Sequence, residues 1–583
     1  MSKKVIILGG GVAGMSAAHE LAERGFEVEV YEQNTIAGGK ARSVSVPGTG
    51  QEGRHGYPGE HGFRFFPRFY KHVTDTMKRI PFEGNAQGVF DNLVDTSRIE
   101  MARFDLPPFT MSARFPRNLD DLLLMIHDAF DDSLGVNSAD REFFGERIWQ
   151  ILTSCQQRRD DEYEKLGWWK FIEAEKHSHA YQNVFGYGLT RSLVAAKADL
   201  ASTKTVGDIL VQLLFDALEP GVSSDRVLNG PTNDVWIEPW RRHLESLGVK
   251  YHLGAKVLGI HCKAKTITGA TIEKDGARIE VHGDYYIAAF PVEVMAQIID
   301  DNPELTIADP TFANIQKLSC NVAWMNGAQF YLTTDAPICN GHVIYIDSPW
   351  ALTSISQHQF WPDVDLGKYG DGKVRGILSV DISEWGEPGI LFKKAARDCT
   401  REEIKAEVWA QLKRSLNNDG QTIFRDEDLH DWNLDSDIVF DVEHADGELA
   451  CDAPQTLSAQ TSSSKTKNRE PLLVNLIKTW HLRPKAHTAI HNLFLASDYV
   501  QTYTDLATME GANEAARRAT NGIIDAAGLD ITPCKLWQLH EPNLLAPFRA
   551  YDLMRYELGL KWKRPLSIGA DPLEKIAKME HAL

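Results

Sequence analysis

The chain has 583 residues, 43% of them hydrophobic and 25% charged, with a formal net charge of −19. That length exceeds one ordinary core and predicts two or three domains of soluble type, and the acidic balance excludes a nucleic-acid partner, which needs a basic surface. No apolar run approaches the roughly 20 residues that span a bilayer, and Lys4 already leads into a strand with no room for a signal peptide, so the expected location is cytoplasmic. The seven cysteines are scattered without a C-x-x-C pair and the twenty histidines are dispersed. Neither a disulfide framework nor a metal is expected.

Val5, Ile6, Ile7 and Leu8 form the short apolar run of a buried parallel strand, and Gly9, Gly11 and Gly14 follow in G-x-G-x-x-G spacing. Gly9 suits the tight turn, Gly11 the approach of backbone to a pyrophosphate, and Gly14 the close packing of helix on strand. The helix opens at Ala13 with its N-terminus facing the phosphates and ends at Gly25. A second strand, Glu27 to Tyr31, stops at Glu32, where a ribose hydroxyl needs an acceptor.

Gly38-Gly39 then precede Lys40 and Arg42, two flexible backbone positions and two cations suited to a second approach to a dinucleotide diphosphate. Gly9 to Gly14, Glu32 and Gly38-Gly39-Lys40-Ala41-Arg42 together resemble the N-terminus of the flavin amine oxidase and phytoene (carotenoid) desaturase superfamily. The resemblance implies FAD. Many members have arginine directly after the glycine pair; here Lys40 stands there and Arg42 two positions on, which leaves open which cation meets the diphosphate. In this superfamily a glycine-containing segment passes beside the isoalloxazine, and Gly59-Glu60-His61-Gly62 looks like that segment. The resemblance places His61 and Gly62 against the cofactor, with Arg64, Phe63, Phe65 and Phe66 near the reacting face. A tightly packed domain junction accounts equally for these side chains.

From about residue 82 to 229 the pattern turns mostly helical, with amphipathic stretches at Leu119 to Phe130 and Val206 to Leu218. This block breaks the β-α alternation and reads as an inserted substrate region. Val249 to Ile260 is a strand pair around Gly254, Thr268 to Val281 a hairpin about Asp275-Gly276, and Tyr285 to Phe290 a buried strand. The resembling family places the segment around Val257 against the adenine end. Strand-like stretches at Gln329 to Leu332, His342 to Ile346, Ala351 to Gln357 and Gly376 to Ile382 surround a helix over Arg401 to Leu416, and Thr456 to Lys467 is loop.

Leu493 to Tyr499 reads as a strand finishing in Asp498, and Met509-Glu510-Gly511-Ala512 opens a helix to about Ala527. This resembles the family's C-terminal flavin motif, in which the acid meets ribityl or diphosphate hydroxyls and the helix N-terminus points at the flavin pyrimidine oxygen. A helix N-terminus stabilises the charge of a reduced flavin there. Beyond it, Leu544, Phe548, Tyr551, Met554 and Leu558 recur at helical spacing among Arg549, Arg555, Lys561, Lys563 and Arg564. That pattern suits a membrane surface, and equally a helix docked on its own protein or on a second subunit.

The expected fold class is α/β: a discontinuous Rossmann-like FAD-binding domain (1–80, 230–300 and 474–530), a helical insertion (81–229), a mixed sheet-plus-helix substrate domain (301–473) and a helical tail (531–583). The resemblance implies an FAD-dependent oxidoreductase acting on carbon–carbon bonds of a long apolar lipid, by desaturation or isomerisation, with Glu60 or Tyr503 as proton acceptor and Arg64 stabilising charge. The alternatives are an amine oxidase, with Trp480 and Tyr503 as part of an aromatic cage, and a non-catalytic flavoprotein that binds a lipid.

Overall fold

A computed structural model describes residues 3–62, 64–112, 136–188, 190, 197–216, 223, 225–418, 420–440 and 466–564. Five parallel strands form the first sheet, in the order Leu493–Leu495, Tyr285–Ala288, Lys4–Leu8, Glu27–Tyr31 and Lys250–His252. Val5 to Leu8 are fully buried, as a central strand covered on both faces must be, which is why the run is apolar without alternation. The helices Val12–Ala22 and Met509–Ala527 pack together on this sheet, joined where Asn513 Nδ2 donates to Ser16 Oγ at 2.8 Å. Sequence segments hundreds of residues apart thus share one layer.

A three-stranded antiparallel sheet, Ala255–Lys263, Thr266–Lys274 and Ala277–Val281, lies beside it. Asp275 (φ 52°) and Gly276 (φ 75°) form its two-residue turn, the left-handed pair a tight hairpin needs. The larger sheet has seven strands in the order Leu429–Leu434, Asn326–Leu332, Gly376–Ile382, Thr353–Ser356, Gly341–Tyr345, Arg98–Arg103 and Leu106–Ser112. The helix Arg401–Leu416 covers it, capped by Thr400 and Glu403 in a reciprocal box and packed through Trp409 on Phe330 at 5.4 Å.

The last two strands of that sheet correct the sequence reading, which made 82–229 mostly helical. Arg98–Arg103 pairs in parallel with Gly341–Tyr345, a partner that local periodicity cannot reveal. Leu93–Asp95 and Arg226–Leu228 also pair, antiparallel, at the two ends of the insertion, and between them Ser138–Thr153, Thr203–Asp216 and short turns close on a core of Phe144, Trp168, Tyr181 and Phe185. The helix expected over Leu119 to Phe130, and most of the loop at Thr456 to Lys467, lie outside the described residues.

The C-terminal helix Ala546–Glu557 docks on this block. Asp552 is buried against Arg158 at 3.0 Å and Phe548 meets Trp149, whereas Tyr551, Met554 and Leu558 face solvent. No helix among the described residues is long and apolar enough to cross a membrane. Cys155, Cys262, Cys339, Cys399 and Cys534 are free thiols, but Cys320 is disulfide-bonded.

Candidate cofactor-binding and active site

The glycine loop is built by backbone approaching backbone. Gly9 turns at φ 110°, and a Cβ there would lie 2.6 Å from the Ala289 carbonyl oxygen; at Gly14 it would lie 1.9 Å from the Gly9 oxygen. Gly38, at φ 109°, brings the second loop back so that its N–H donates to the Gly10 carbonyl at 3.2 Å, and a Cβ on Gly39 would come within 2.9 Å of Gly11 Cα. Gly11 caps the helix Val12–Ala22 without any side-chain bond. The N–H groups of its buried first turn, Val12, Ala13 and Gly14, therefore meet no capping side chain and suit an external anion.

Glu32 is buried at the end of the second strand. Its two carboxylate oxygens accept from the Gly10 N–H at 2.7 Å and the Asn34 N–H at 2.8 Å, and each keeps capacity for a ribose hydroxyl. Burial raises its pKa. The Ala255 N–H donates to the Glu32 carbonyl at 2.7 Å, starting the strand in which Val257 precedes a bulge.

The two cations after the glycine pair differ in how they are held. Arg42 is committed to Asp437 at 2.6 Å and Glu470 at 3.4 Å. Lys40 Nζ donates to the Pro471 carbonyl and stands 3.9 Å from Glu293, so it is the cation with charge to offer a phosphate. Burial lowers the Lys40 pKa, but Glu293, Asp498, Glu470 and Asp437 together raise it above the ordinary value. Glu293, at the start of the helix Val292–Asp301, is pushed up to about 7 by burial that Lys40 only partly offsets, and its Oε2 has no hydrogen-bond partner. The buried hydroxyl of Tyr499, next to Asp498, is also unpartnered.

The segment from Pro58 to Gly62 lies on the seven-stranded sheet. Tyr331 Oη donates to the Pro58 carbonyl at 3.0 Å, Gln329 Nε2 to that of Glu60 at 3.1 Å, and the Gly327 N–H to that of His61 at 2.5 Å. A Cβ on Gly62 would meet Asp381 Oδ1 at 2.9 Å. Glu60 accepts from the Thr232 N–H at 3.2 Å and its hydroxyl at 3.1 Å, yet burial holds its carboxyl at about 7 against Arg64 and those donors. Burial disfavours the His61 imidazolium, but Asp435, 2.7 Å from Nδ1, raises its pKa to about 9. Arg64 Nη1 donates to the Gly62 carbonyl at 2.5 Å and Nη2 to that of Lys40. It joins the Pro58–Gly62 segment to the loop bearing Lys40 through neutral acceptors, while burial lowers its pKa.

His61, Asp435 and Asp437 form the one trio among the described residues with metal-ligand spacing. Arg42 and Asn326 already donate to those carboxylates. Phe66 is core against Trp236 and Phe65 meets His342, while Phe63 lies outside the described residues. Tyr503 is 36% exposed, with its ring under Arg518 at 4.5 Å; the Trp480 ring carries Lys204 Nζ at 4.1 Å. Each ring of the suggested aromatic cage is thus covered by a cation of the chain itself.

At the C-terminal half-site, Thr508 caps Met509–Ala527 by accepting the Gly511 N–H at 3.2 Å. Ala512 is buried in the first turn. Glu510 turns its carboxylate away, accepting from the N–H groups of Lys71, His72 and Val73 at 2.8–2.9 Å and meeting His72 Nδ1 at 2.7 Å. Its side chain caps the helix His72–Lys78, which leaves only its backbone to offer a cofactor.

An uncapped buried helix start, an acceptor at the end of the second strand, a lysine whose ion-pair partner stands 3.9 Å away and a second helix N-terminus fit FAD. Glu293, Thr232, Asp435 and Asp437 were invisible to sequence reasoning, since each is a single polar residue outside any motif. Pro291, ending a buried strand, was the sole signal near Glu293.

Residues 12–524 match the model of a family described as flavin containing amine oxidoreductase. A stretch of 69 residues is 44% identical to carotenoid phi-ring synthase of Chlorobaculum tepidum, covering 12% of this chain and 10% of that protein. Another of 82 residues is 39% identical to the chloroplastic/chromoplastic zeta-carotene desaturase of Capsicum annuum, covering 14% and 13%. Each match spans only about a tenth of the curated relative. The structure of cyclohexylamine oxidase from Brevibacterium oxydans is similar at a TM-score of 0.55 and 12% identity, over 91% of this chain and all of that one, a likeness of fold.

Proposed function

The chain belongs to the flavin containing amine oxidoreductase family, and from that premise we propose that it acts on carbon–carbon bonds of a long apolar isoprenoid. The reaction removes two hydrogens from adjacent carbons, or relocates a double bond without net oxidation. Bound FAD supplies the two-electron acceptor. The observation that carries the reading is local identity of 38–48% to carotenoid-modifying enzymes. The occupied faces of Trp480 and Tyr503 weigh against an amine cage. Glu60, poised at about 7 in a buried setting, takes up the substrate proton; Arg64 keeps the segment bearing Glu60 against the loop bearing Lys40.

The test is anaerobic addition of isoprenoid polyenes, then amines, to the FAD-loaded protein. Bleaching of the flavin absorption by a polyene supports the reading. Bleaching by amines alone makes the protein an amine oxidase, and retained FAD with no bleaching makes it a binding protein.

An apolar substrate resides in a bilayer, and one ridge of the protein suits that surface. Tyr551, Met554, Leu558 and Leu560 are exposed within ten residues, beside Arg555, Lys561 and Lys563, in a chain of net charge −19. Exposed apolar side chains ringed by cations favour an anionic membrane. Sedimentation with phosphatidylglycerol vesicles, lost in the double variant M554E/L558E, is the expected result. No sedimentation of the wild type would assign the ridge to a protein contact.

A further inference from the structure

A dense buried ion cluster outside the cofactor loops centres on Asp505. One carboxylate oxygen accepts from Lys204 Nζ at 2.9 Å and Thr205 Oγ1 at 2.8 Å. The other accepts from Asn475 Nδ2 at 2.9 Å and faces Arg483 Nη1 at 3.2 Å. Asn475 Nδ2 also donates to the Asp505 carbonyl at 2.6 Å, and Asn475 Oδ1 accepts from Arg483 Nη2 at 2.7 Å. Lys204, Thr205, Asn475, Arg483 and Asp505 are all buried. The Lys204 ammonium further stands 3.5 Å from Asp208 and 3.9 Å from Asp160. Desolvating so many charges is expensive, and Asp505 adds a left-handed backbone at φ 45°, which costs a non-glycine residue about 1 kcal/mol or more. Apart from Lys204, whose ammonium also covers the Trp480 ring, none of these groups takes part in the site described above.

Their place in the chain supplies the purpose. Asp505 lies three residues before Thr508, the cap of Met509–Ala527. The loop between is wedged under the first turn: a Cβ on Gly511 would come within 2.7 Å of the Leu506 oxygen. The donors arrive from two other directions, Lys204 and Thr205 from the start of the helix Thr203–Asp216 in the insertion, and Asn475 and Arg483 from the chain entering the strand Leu493–Leu495.

We propose that Lys204, acting through Asp505, is a positioning residue for the flavin helix, fixing where the uncommitted first-turn N–H groups point and making the cofactor site depend on the helical insertion. The inference rests on the reading that this helix faces the flavin. Without the Lys204 cation, Asp208 keeps Arg159 at 3.5 Å and one Asp505 oxygen keeps Arg483, but the Asp505 oxygen that faced Lys204 is left with only the Thr205 hydroxyl, and the loop must move to hydrate it. The helix start moves with it, and the positive end of the helix no longer meets the negative charge of a reduced flavin at its optimum.

The test compares Lys204→Met, Lys204→Arg and a control, Arg158→Met, which breaks the buried Arg158–Asp552 pair on the C-terminal helix instead. Apoprotein is titrated with FAD, and the midpoint potential of the bound flavin and the Tm are measured. K204M is expected to loosen FAD by at least about tenfold, the equivalent of 1.4 kcal/mol, and to make the potential more negative. K204R restores both, while R158M lowers Tm and leaves affinity and potential unchanged. Should K204M not fold, Thr205→Val, which removes one donor to Asp505, shifts both quantities in the same direction by less. The proposal is overturned if the folded variants keep wild-type affinity and potential whatever their Tm, or if R158M moves them as far. Failure of the wild type to bind FAD would instead overturn the cofactor reading itself.

Discussion

Replacing Gly11 by alanine should separate folding from cofactor binding. Gly11 has φ −76° and ψ −173°, which any residue adopts, and a methyl there meets nothing nearer than Gly39 Cα at 3.6 Å. The protein without cofactor therefore accepts it, and the stiffer unfolded chain even adds about 0.4–1 kcal/mol of stability. The same methyl projects at the uncapped start of Val12–Ala22, where a diphosphate must come within hydrogen-bond distance. Losing two charge-assisted hydrogen bonds at about 1.5–3 kcal/mol each removes about 3–6 kcal/mol, a loosening of roughly 10²- to 10⁴-fold. Gly14→Ala behaves differently: its methyl would sit 1.9 Å from the Gly9 oxygen, forcing the helix off the turn at about 1–3 kcal/mol or more. Thermal unfolding of apoprotein and fluorescence titration with FAD distinguish the two. G11A should keep its Tm and lose FAD, and G14A should lose both. A G11A protein binding FAD within threefold of wild type would refute the assignment of this loop to the diphosphate.

Glu60→Gln tests the buried carboxyl through pH. Folding raises the Glu60 pKa from 4.5 to about 7, so its stabilising contribution is complete below about 4.5 and is lost as pH rises through about 7. At about 1.4 kcal/mol per pH unit the loss is at most about 3 kcal/mol; urea unfolding at pH 5 and pH 8 should show wild type falling relative to E60Q, and parallel curves would contradict it. Arg517→Met leaves Glu20 and Asp75 without the buried guanidinium that stands 3.3 and 2.7 Å from them. Because Arg24 and Arg79 still face Glu20 and Arg79 faces Asp75, the expected destabilisation, measured by chemical unfolding, is that of lost charged hydrogen bonds, about 1.5–3 kcal/mol. Thr400→Ala removes one half of the capping box on Arg401–Leu416 and should cost about 1 kcal/mol, with Thr400→Ser retaining nearly all of it.

Local chemistry was enough for the elements that define the cofactor fold. The apolar run before Gly9, the strand Glu27–Tyr31, the hairpin turn at Asp275-Gly276 and the helices Arg401–Leu416 and Met509–Ala527 stand where the sequence put them, because each is governed by neighbours within a few residues: periodicity, a cap, a left-handed glycine. The strands Arg98–Arg103 and Leu106–Ser112 were missed because their stability comes from pairing with Gly341–Tyr345, a contact made only in the folded chain. The same divide runs through the site. The sequence offered Glu32, and Lys40 or Arg42, as candidates beside motifs, and the family resemblance offered Glu60 and Asp498; neither revealed that Arg42 is already paired with Asp437 and Glu470, that Glu510 caps another helix, or that Asp505 gathers Lys204 and Arg483. Motif spacing specifies backbone that a neighbour in sequence can shape; the charge and proton affinity of a buried side chain depend on burial and on partners brought from distant segments, and those exist only in the tertiary structure.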